Sequence, residues 1–200
     1  MEPSQNAQDS AWYALKVFYS KARTVQEDFR KLGYDTYLPV MIEEHFEAGE
    51  LRYVEKPLVA SLLFVHCPEQ YLLDYKRTHD THMLYYADLI TKRPGRIPDR
   101  EMKIFRIATS VASTDPDAMY LGSDTARLCT GDRVRVTDGL YKGAEGYIKR
   151  IRHARKVLVA IQGVAVVALS NIHPQYLQKI EEPSSFTPSG RGSRFARVPA

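Results

Sequence analysis

Apolar positions along the chain change their spacing several times, and each change marks an element. Trp12 to Tyr19 (WYALKVFY) is aromatic-rich and β-prone, which predicts a strand buried on at least one face. Ser20 then offers a helix cap, and Ala22, Val25, Phe29 and Leu32 recur at three- and four-residue spacing until Gly33 stops the helix. Thr36 to Ile42 reads as a second strand, with Pro39 demanding an edge or a bulge. His45 to Val54 reads as a hairpin turning at Ala48-Gly49. Leu58 to Cys67 (LVASLLFVHC), the most apolar stretch of this half, predicts a central strand. Pro68 opens a second helix carrying Tyr71, Leu72 and Tyr75 on one face, and Met83 to Tyr86 makes a further strand. Ile97-Pro98-Asp99 starts a third helix with Asp99 as its cap and Met102, Phe105, Ala108 and Ala112 along one side. This order suits an α+β split βαβ sandwich.

Periodicity fails across 113–130, where Ser, Thr, Asp, Pro and Gly accumulate, so a domain boundary is expected there. Beyond Gly131 the texture becomes short strands: RVRV, GYIKRI, KVLVAI, AVVAL and YLQKI follow one another at barrel-like intervals, which predicts a small antiparallel β-barrel. The expected organisation is a polar arm over 1–10, an α+β domain over 11–113, a linker over 114–128, a barrel over 129–182 and a disordered basic tail over 183–200.

Charge adds one distinction. The net charge of +4 is uneven: residues 11–120 hold 15 basic and 16 acidic side chains, residues 121–182 hold 10 and 6, and the tail adds three arginines. A nearly neutral first domain argues against tight non-specific duplex binding through bulk charge. Neither a membrane-length apolar run nor a basic-then-apolar leader occurs, so a cytoplasmic protein is expected. Cys67 and Cys129 are read as packed thiols rather than a disulfide framework.

The most specific motif is Gly131-Asp132-Arg133-Val134-Arg135-Val136, followed by Asp138-Gly139-Leu140-Tyr141-Lys142-Gly143-Ala144-Glu145-Gly146. A strand feeds a turn at Gly139, where positive φ costs glycine nothing, and Gly143 and Gly146 let the next strand begin close by. Tyr141 is expected at the tip. The motif resembles KOW. Trp12-Tyr13, the amphipathic first helix, Tyr37-Leu38-Pro39, Lys56-Pro57-Leu58, Leu63-Phe64-Val65 and Ile97-Pro98 together resemble the N-terminal (NGN) domain of the NusG family, in the family's order. The stretches PLVASLLFVH, MYLGSDTARLCTGDRVRVTDGLYKG and AIQGVAVVALSNIHPQYLQKI are most similar to specialised paralogues, RfaH and the capsular-polysaccharide (UpxY-type) antiterminators. Where the family has a Phe-Pro-Gly-Tyr-like run, this chain has Val59-Ala60-Ser61-Leu62.

The resemblance implies an NGN sandwich plus a five-stranded SH3-like KOW barrel, acting without enzymatic chemistry or cofactor as a monomeric transcription elongation or antitermination factor. It implies an apolar depression for the RNA polymerase clamp around Lys16, Val59, Ala60, Leu62, Phe64, Met102 and Phe105. Lys21, Arg23, Lys76, Arg77 and His79 fall where the family touches non-template DNA. Tyr141 and Lys142 fall where its barrel meets a ribosomal small-subunit protein or Rho. Each apolar candidate has an ordinary core reading beside the functional one. Arg150, Arg152, Arg155 and Lys156 form a basic group at a barrel hairpin that could meet RNA or be a solvated turn. His79 and His82 stand three apart, yet no ligand set completes a metal site around them. Two other classes stay open: a ribosome-associated or RNA-binding KOW protein, and an enzyme using His79, His82 and nearby acids.

Overall fold

The computed structural model describes residues 9–18, 20–47, 49–59, 61–79, 82–112, 119–122, 131–151, 154–161, 163–180 and 195–197. By packing, one compact unit comprises residues 1–39, 59–102 and 195–200, and a second comprises 40–58 and 103–194.

The first unit is built on a five-stranded antiparallel sheet of β1 (Ser10–Val17), β2 (Asp35–Tyr37), β5 (Leu62–Pro68), β6 (Met83–Asp88) and β13 (Phe195–Arg197). Their spatial order is β13-β6-β1-β5-β2. β1 runs through the middle, with Ala14 opposite Phe64 and Lys16 opposite Leu62 on β5, and Leu15 opposite Tyr85 on β6. Strand alternation therefore sends Tyr13, Leu15, Leu63, Val65 and Tyr85 to one face. Helices α1 (Ala22–Lys31) and α2 (Glu69–Thr78) pack against β2 and β5. They lie over the Tyr85 face, where the Lys76 ammonium sits 4.8 Å from the Tyr85 ring centre. Between them Phe29, fully buried, meets Tyr71 edge-on at 5.5 Å and Tyr75 at 4.8 Å. The Tyr75 hydroxyl donates to Asp28 at 2.9 Å, joining the helices. A side chain buried to this extent contributes about 1.5–3 kcal/mol. Cys67 is buried in the same sheet, and desolvation pushes its thiol up to about 12, as expected of a packed residue.

Three expectations change here. Ser20 does not cap α1; it takes a left-handed φ of 58° in a turn closed by the Lys21 amide on the Phe18 carbonyl, and Lys21 stands at the cap position without a side-chain bond. The strand expected over Thr36 to Ile42 is two strands, broken at Leu38-Pro39, because proline cannot continue the ladder. The tail expected to be disordered supplies β13, whose Phe195, Ala196 and Arg197 pair with Asp88, Ala87 and Tyr86; an edge strand needs only an open row of backbone groups.

In the second unit, β3 (Val40–Glu47) and β4 (Glu50–Pro57) form a two-stranded sheet of their own, longer at both ends than the apolar pattern indicated, turning at Gly49 with φ 85°. Helix α3 spans Asp99–Ala112, and the division between units falls within it, after Met102. The remaining strands are β7 (Met119–Gly122), β8 (Arg133–Val136), β9 (Glu145–Ile151), β10 (Ala154–Ile161), β11 (Ala165–Leu169) and β12 (Leu177–Lys179). They form one antiparallel sheet in the order β12-β8-β9-β10-β11-β7. This differs from the expected closed five-stranded barrel. A sixth strand, β7, lies within the 114–128 segment and pairs with β11, and no pairing closes β12 onto β7 among the described residues. The rest of 114–128, the 1–8 arm and 183–194 lie outside the described residues.

Candidate protein and nucleic-acid contact surfaces

Two groups of candidate residues fall in the first unit, apart from Phe105, which belongs to the second. Lys16 and Leu62 are directly opposed across β1 and β5, and Phe64 lies two residues along on the same face, opposite Ala14 and 6.4 Å from the Tyr37 ring. This face is the one turned away from α1 and α2. Leu62 (2%) and Phe64 (0%) are closed off from solvent, as are Met102 and Phe105 on α3, and Val59 is buried at the turn before β5. Only Lys16 is partly exposed, with its ammonium 4.9 Å from the Phe18 ring centre. Ala60 lies outside the described residues. The apolar members are thus packed core positions as the chain stands, and alternation alone could not distinguish them from a lining, because a strand buried on both faces has no exposed register.

The second group gathers at one end of the sheet. The Phe18 amide donates to the His82 carbonyl at 2.8 Å and Val17 pairs with Met83, so the start of α1 adjoins the loop after α2. Lys21 and Arg23 are exposed at that start. At the end of α2, Arg77 is exposed and pairs with Asp74 at 3.2 Å, while Lys76 is engaged with Tyr85. His79 stacks on Tyr75 at 4.3 Å and 11°, with its Nδ1 2.9 Å from the Thr78 hydroxyl. That geometry holds the imidazole flat against an aromatic ring. Burial raises the Tyr75 pKa, reinforced by its hydrogen bond to Asp28, so the phenol stays neutral and donating. No group of three or more His, Cys, Asp or Glu able to hold a metal occurs among the described residues.

The KOW-like turn differs from expectation in one side chain. Tyr141 is 5% exposed, whereas Leu140 is 81% exposed and occupies the tip. The turn closes through Lys142 amide to Gly139 carbonyl (3.1 Å) and Ala144 amide to Tyr141 carbonyl (2.9 Å), which folds the tyrosine back onto the sheet. Sequence reasoning missed Leu140; the signal was an apolar residue directly after the positive-φ glycine. Lys142 is exposed and reaches Asp138 at 3.9 Å. Gly139 and Gly143 have φ of 83° and 89°. Gly146 serves a different need: a Cβ there would stand 2.3 Å from the Leu158 carbonyl oxygen, so only glycine lets β9 and β10 approach.

An antiparallel sheet with two helices packed on it, the start of α1 and the end of α2 meeting at one end of the sheet, defines an α+β domain. Residues 10–106, just under half of the chain, match the family described as "Transcription termination factor nusG". No curated protein matches the chain. None of the described helices is long and apolar enough to cross a membrane.

Proposed function

We propose that this protein is a non-enzymatic elongation factor that binds RNA polymerase through the NusG-family domain and suppresses pausing or termination. The observation that carries the reading is the match over 10–106, which covers β1 through most of α3. On this reading the polymerase contact lies on the sheet face bearing Lys16, and the buried Val59, Leu62, Phe64 and Met102 hold that surface in shape. A rigid, preorganised surface loses little conformational entropy on association. Lys21, Arg23, Arg77 and His79 supply a cationic and aromatic edge for non-template DNA, with Lys76 held beside them by Tyr85.

The resemblance of the PLVASLLFVH and KOW-like stretches to RfaH and capsular-polysaccharide antiterminators supports a specialised factor serving particular operons. The six-stranded sheet then recruits a second partner, such as a ribosomal small-subunit protein or Rho, through its KOW-like turn, where Leu140 and Lys142 are exposed beside Asp138. The test is retention of purified RNA polymerase on the immobilised full chain, paired with a pausing assay on a purified template. Retention with shortened pauses is expected. Absence of both would overturn the reading. Charge reversal at Lys16 should weaken retention while leaving the circular dichroism spectrum unchanged.

A further inference from the structure

Exposed apolar side chains are concentrated in one part of the molecule. Of the nine large hydrophobics exposed among the described residues, five lie within residues 40–57, the ribbon of β3 and β4. Single exposed apolar residues are normal on a protein surface, whereas a contiguous group marks a contact site. The register makes four of the five contiguous. Phe46 stands directly opposite Leu51, Tyr53 opposite Glu44 and Ile42 opposite Glu55, and period-two alternation sets these six on one face. Val54 belongs to the other face, opposite Glu43. An apolar side chain stabilises a fold through its burial, so the ribbon gains little from carrying these four in solvent.

Charge decides which occupant fits. Residues 40–57 hold five glutamates against two cations, Arg52 and Lys56, a net charge of −3 in a chain of net +4. Both cations lie on the face opposite the apolar strip, where Arg52 pairs with Glu47 and Lys56 with Glu43. The apolar face carries carboxylates and, among the described residues, no cation. Such a surface repels nucleic acid and anionic membranes, and a second copy of the same face would set carboxylate against carboxylate. An apolar stripe bordered by lysine or arginine is attracted on both counts. The dimensions suit a helix. Ile42 and Phe46 stand four residues apart on one strand, about 13 Å at the strand rise, which about nine residues of helix cover. Helical anchors at i, i+4 and i+7 therefore span the strip.

We propose that the face of the β3–β4 ribbon bearing Ile42, Phe46, Leu51 and Tyr53 docks an amphipathic helix of a partner protein, its apolar stripe seated on these four side chains and its flanking lysines or arginines beside Glu44. Phe46 and Tyr53, at 77% and 66% exposure, are the anchors, because a large ring loses the most water-exposed apolar area on contact. The surface rests neither on Lys16 nor on polymerase binding.

The experiment titrates the purified, isotope-labelled full chain with an amphipathic helical peptide of leucine and lysine and follows the amide shifts by NMR. The comparison probes are the same peptide with glutamate for lysine, a scrambled peptide without an apolar stripe, a short single-stranded oligonucleotide and phosphatidylglycerol vesicles. The leucine–lysine peptide should bind saturably and move the amides of residues 42–46 and 51–55 most. The glutamate and scrambled peptides should bind about tenfold more weakly or worse. Phe46→Ser with Tyr53→Ser should weaken binding about tenfold while the circular dichroism spectrum stays unchanged. Glu44→Lys should weaken it about threefold and flatten its salt dependence. Val54→Ser, on the opposite face, should leave it within about twofold. The proposal is overturned if no saturable binding occurs, if the shifts centre outside the ribbon, or if the glutamate peptide, oligonucleotide or vesicles bind this face as well as the leucine–lysine peptide. It is equally overturned if the chain dimerises through this face in sedimentation, or if the paired serines leave affinity within about twofold. Loss of fold in that serine variant would show that the side chains serve stability instead, and would overturn it too.

Discussion

Two hairpins of the same connectivity solve opposite problems. In β3–β4 several charges pair across the ribbon while large apolar side chains stay exposed: Glu43 pairs with Lys56 and His45, and Arg52 with Glu47, all on one face, although Glu47 also stands opposite Glu50. The other face leaves Ile42 at 44%, Phe46 at 77%, Leu51 at 46% and Tyr53 at 66% exposure. In β9–β10 the apolar side chains Val157, Leu158, Val159 and Ile161 are buried, while the register sets Lys149 opposite Lys156 and Arg150 opposite Arg155. The difference teaches where each hairpin obtains its stability. A two-stranded ribbon is marginal in water and relies on local pairing, whereas a hairpin embedded in a six-stranded sheet has burial to spare and can tolerate repulsion at its end.

The strongest way to break the comparison is at Gly146. Gly146→Ala should cost about 2–3 kcal/mol, since the added carbon must move the β10 backbone at Leu158. Urea unfolding of the full chain checks it, and a loss under about 0.5 kcal/mol would mean the two strands are not held as closely as described. Leu158→Ala should fall in a similar range, about 2–4 kcal/mol, whereas Phe46→Ala on the exposed hairpin should change stability by about 0.5 kcal/mol or less.

A finer test is the sign of a charge change. Arg155→Glu converts one opposed pair into an attractive one and should stabilise the chain by about 0.2–1 kcal/mol, an effect that salt diminishes. Destabilisation by the same amount would show that the guanidinium makes a contact more valuable than the repulsion it causes.

The smallest effect concerns pH in β3–β4. The Lys56 hydrogen bond, and then the His45 one, hold the Glu43 carboxyl below its usual range. A carboxylate with a lowered folded pKa contributes stability that is complete above the unfolded value near 4.5 and is lost as pH falls through the folded one. Acid titration followed by NMR should show Glu43 titrating below the usual carboxylate range, with Lys56→Met abolishing the depression. A Glu43 titration unchanged by that substitution would remove the local-pairing account of this hairpin.

The sequence carried the secondary structure well wherever one period ran uninterrupted. Ala22, Val25 and Phe29 on α1 are buried as their spacing required, whereas Leu32, the fourth of that series, lies past the helix end and is exposed; β5 from Leu62 to Cys67 is buried except at His66. The turn glycines were equally legible, since positive φ at Gly139 and Gly143 is a local steric property. The candidate polymerase residues were legible as apolar but not as lining or core, because periodicity tells which face a side chain takes and not what covers it. Tyr141 shows the same limit: two backbone hydrogen bonds of the turn, Lys142 to Gly139 and Ala144 to Tyr141, fold it inward and put Leu140 outside.

What the amino-acid sequence determined by itself is therefore the set of elements, the breaks at proline and glycine, the charge of each segment and the family resemblance that residues 10–106 bear out. What only the tertiary structure decided is register and pairing: that Lys149 faces Lys156, that Glu145 is clasped by two arginines, that β7 joins β11 and that residues 195–197 extend the first sheet. The physical reason is range. Backbone preference and hydrophobic period act over a few neighbouring residues, whereas strand pairing is chosen by burial summed over segments tens of residues apart.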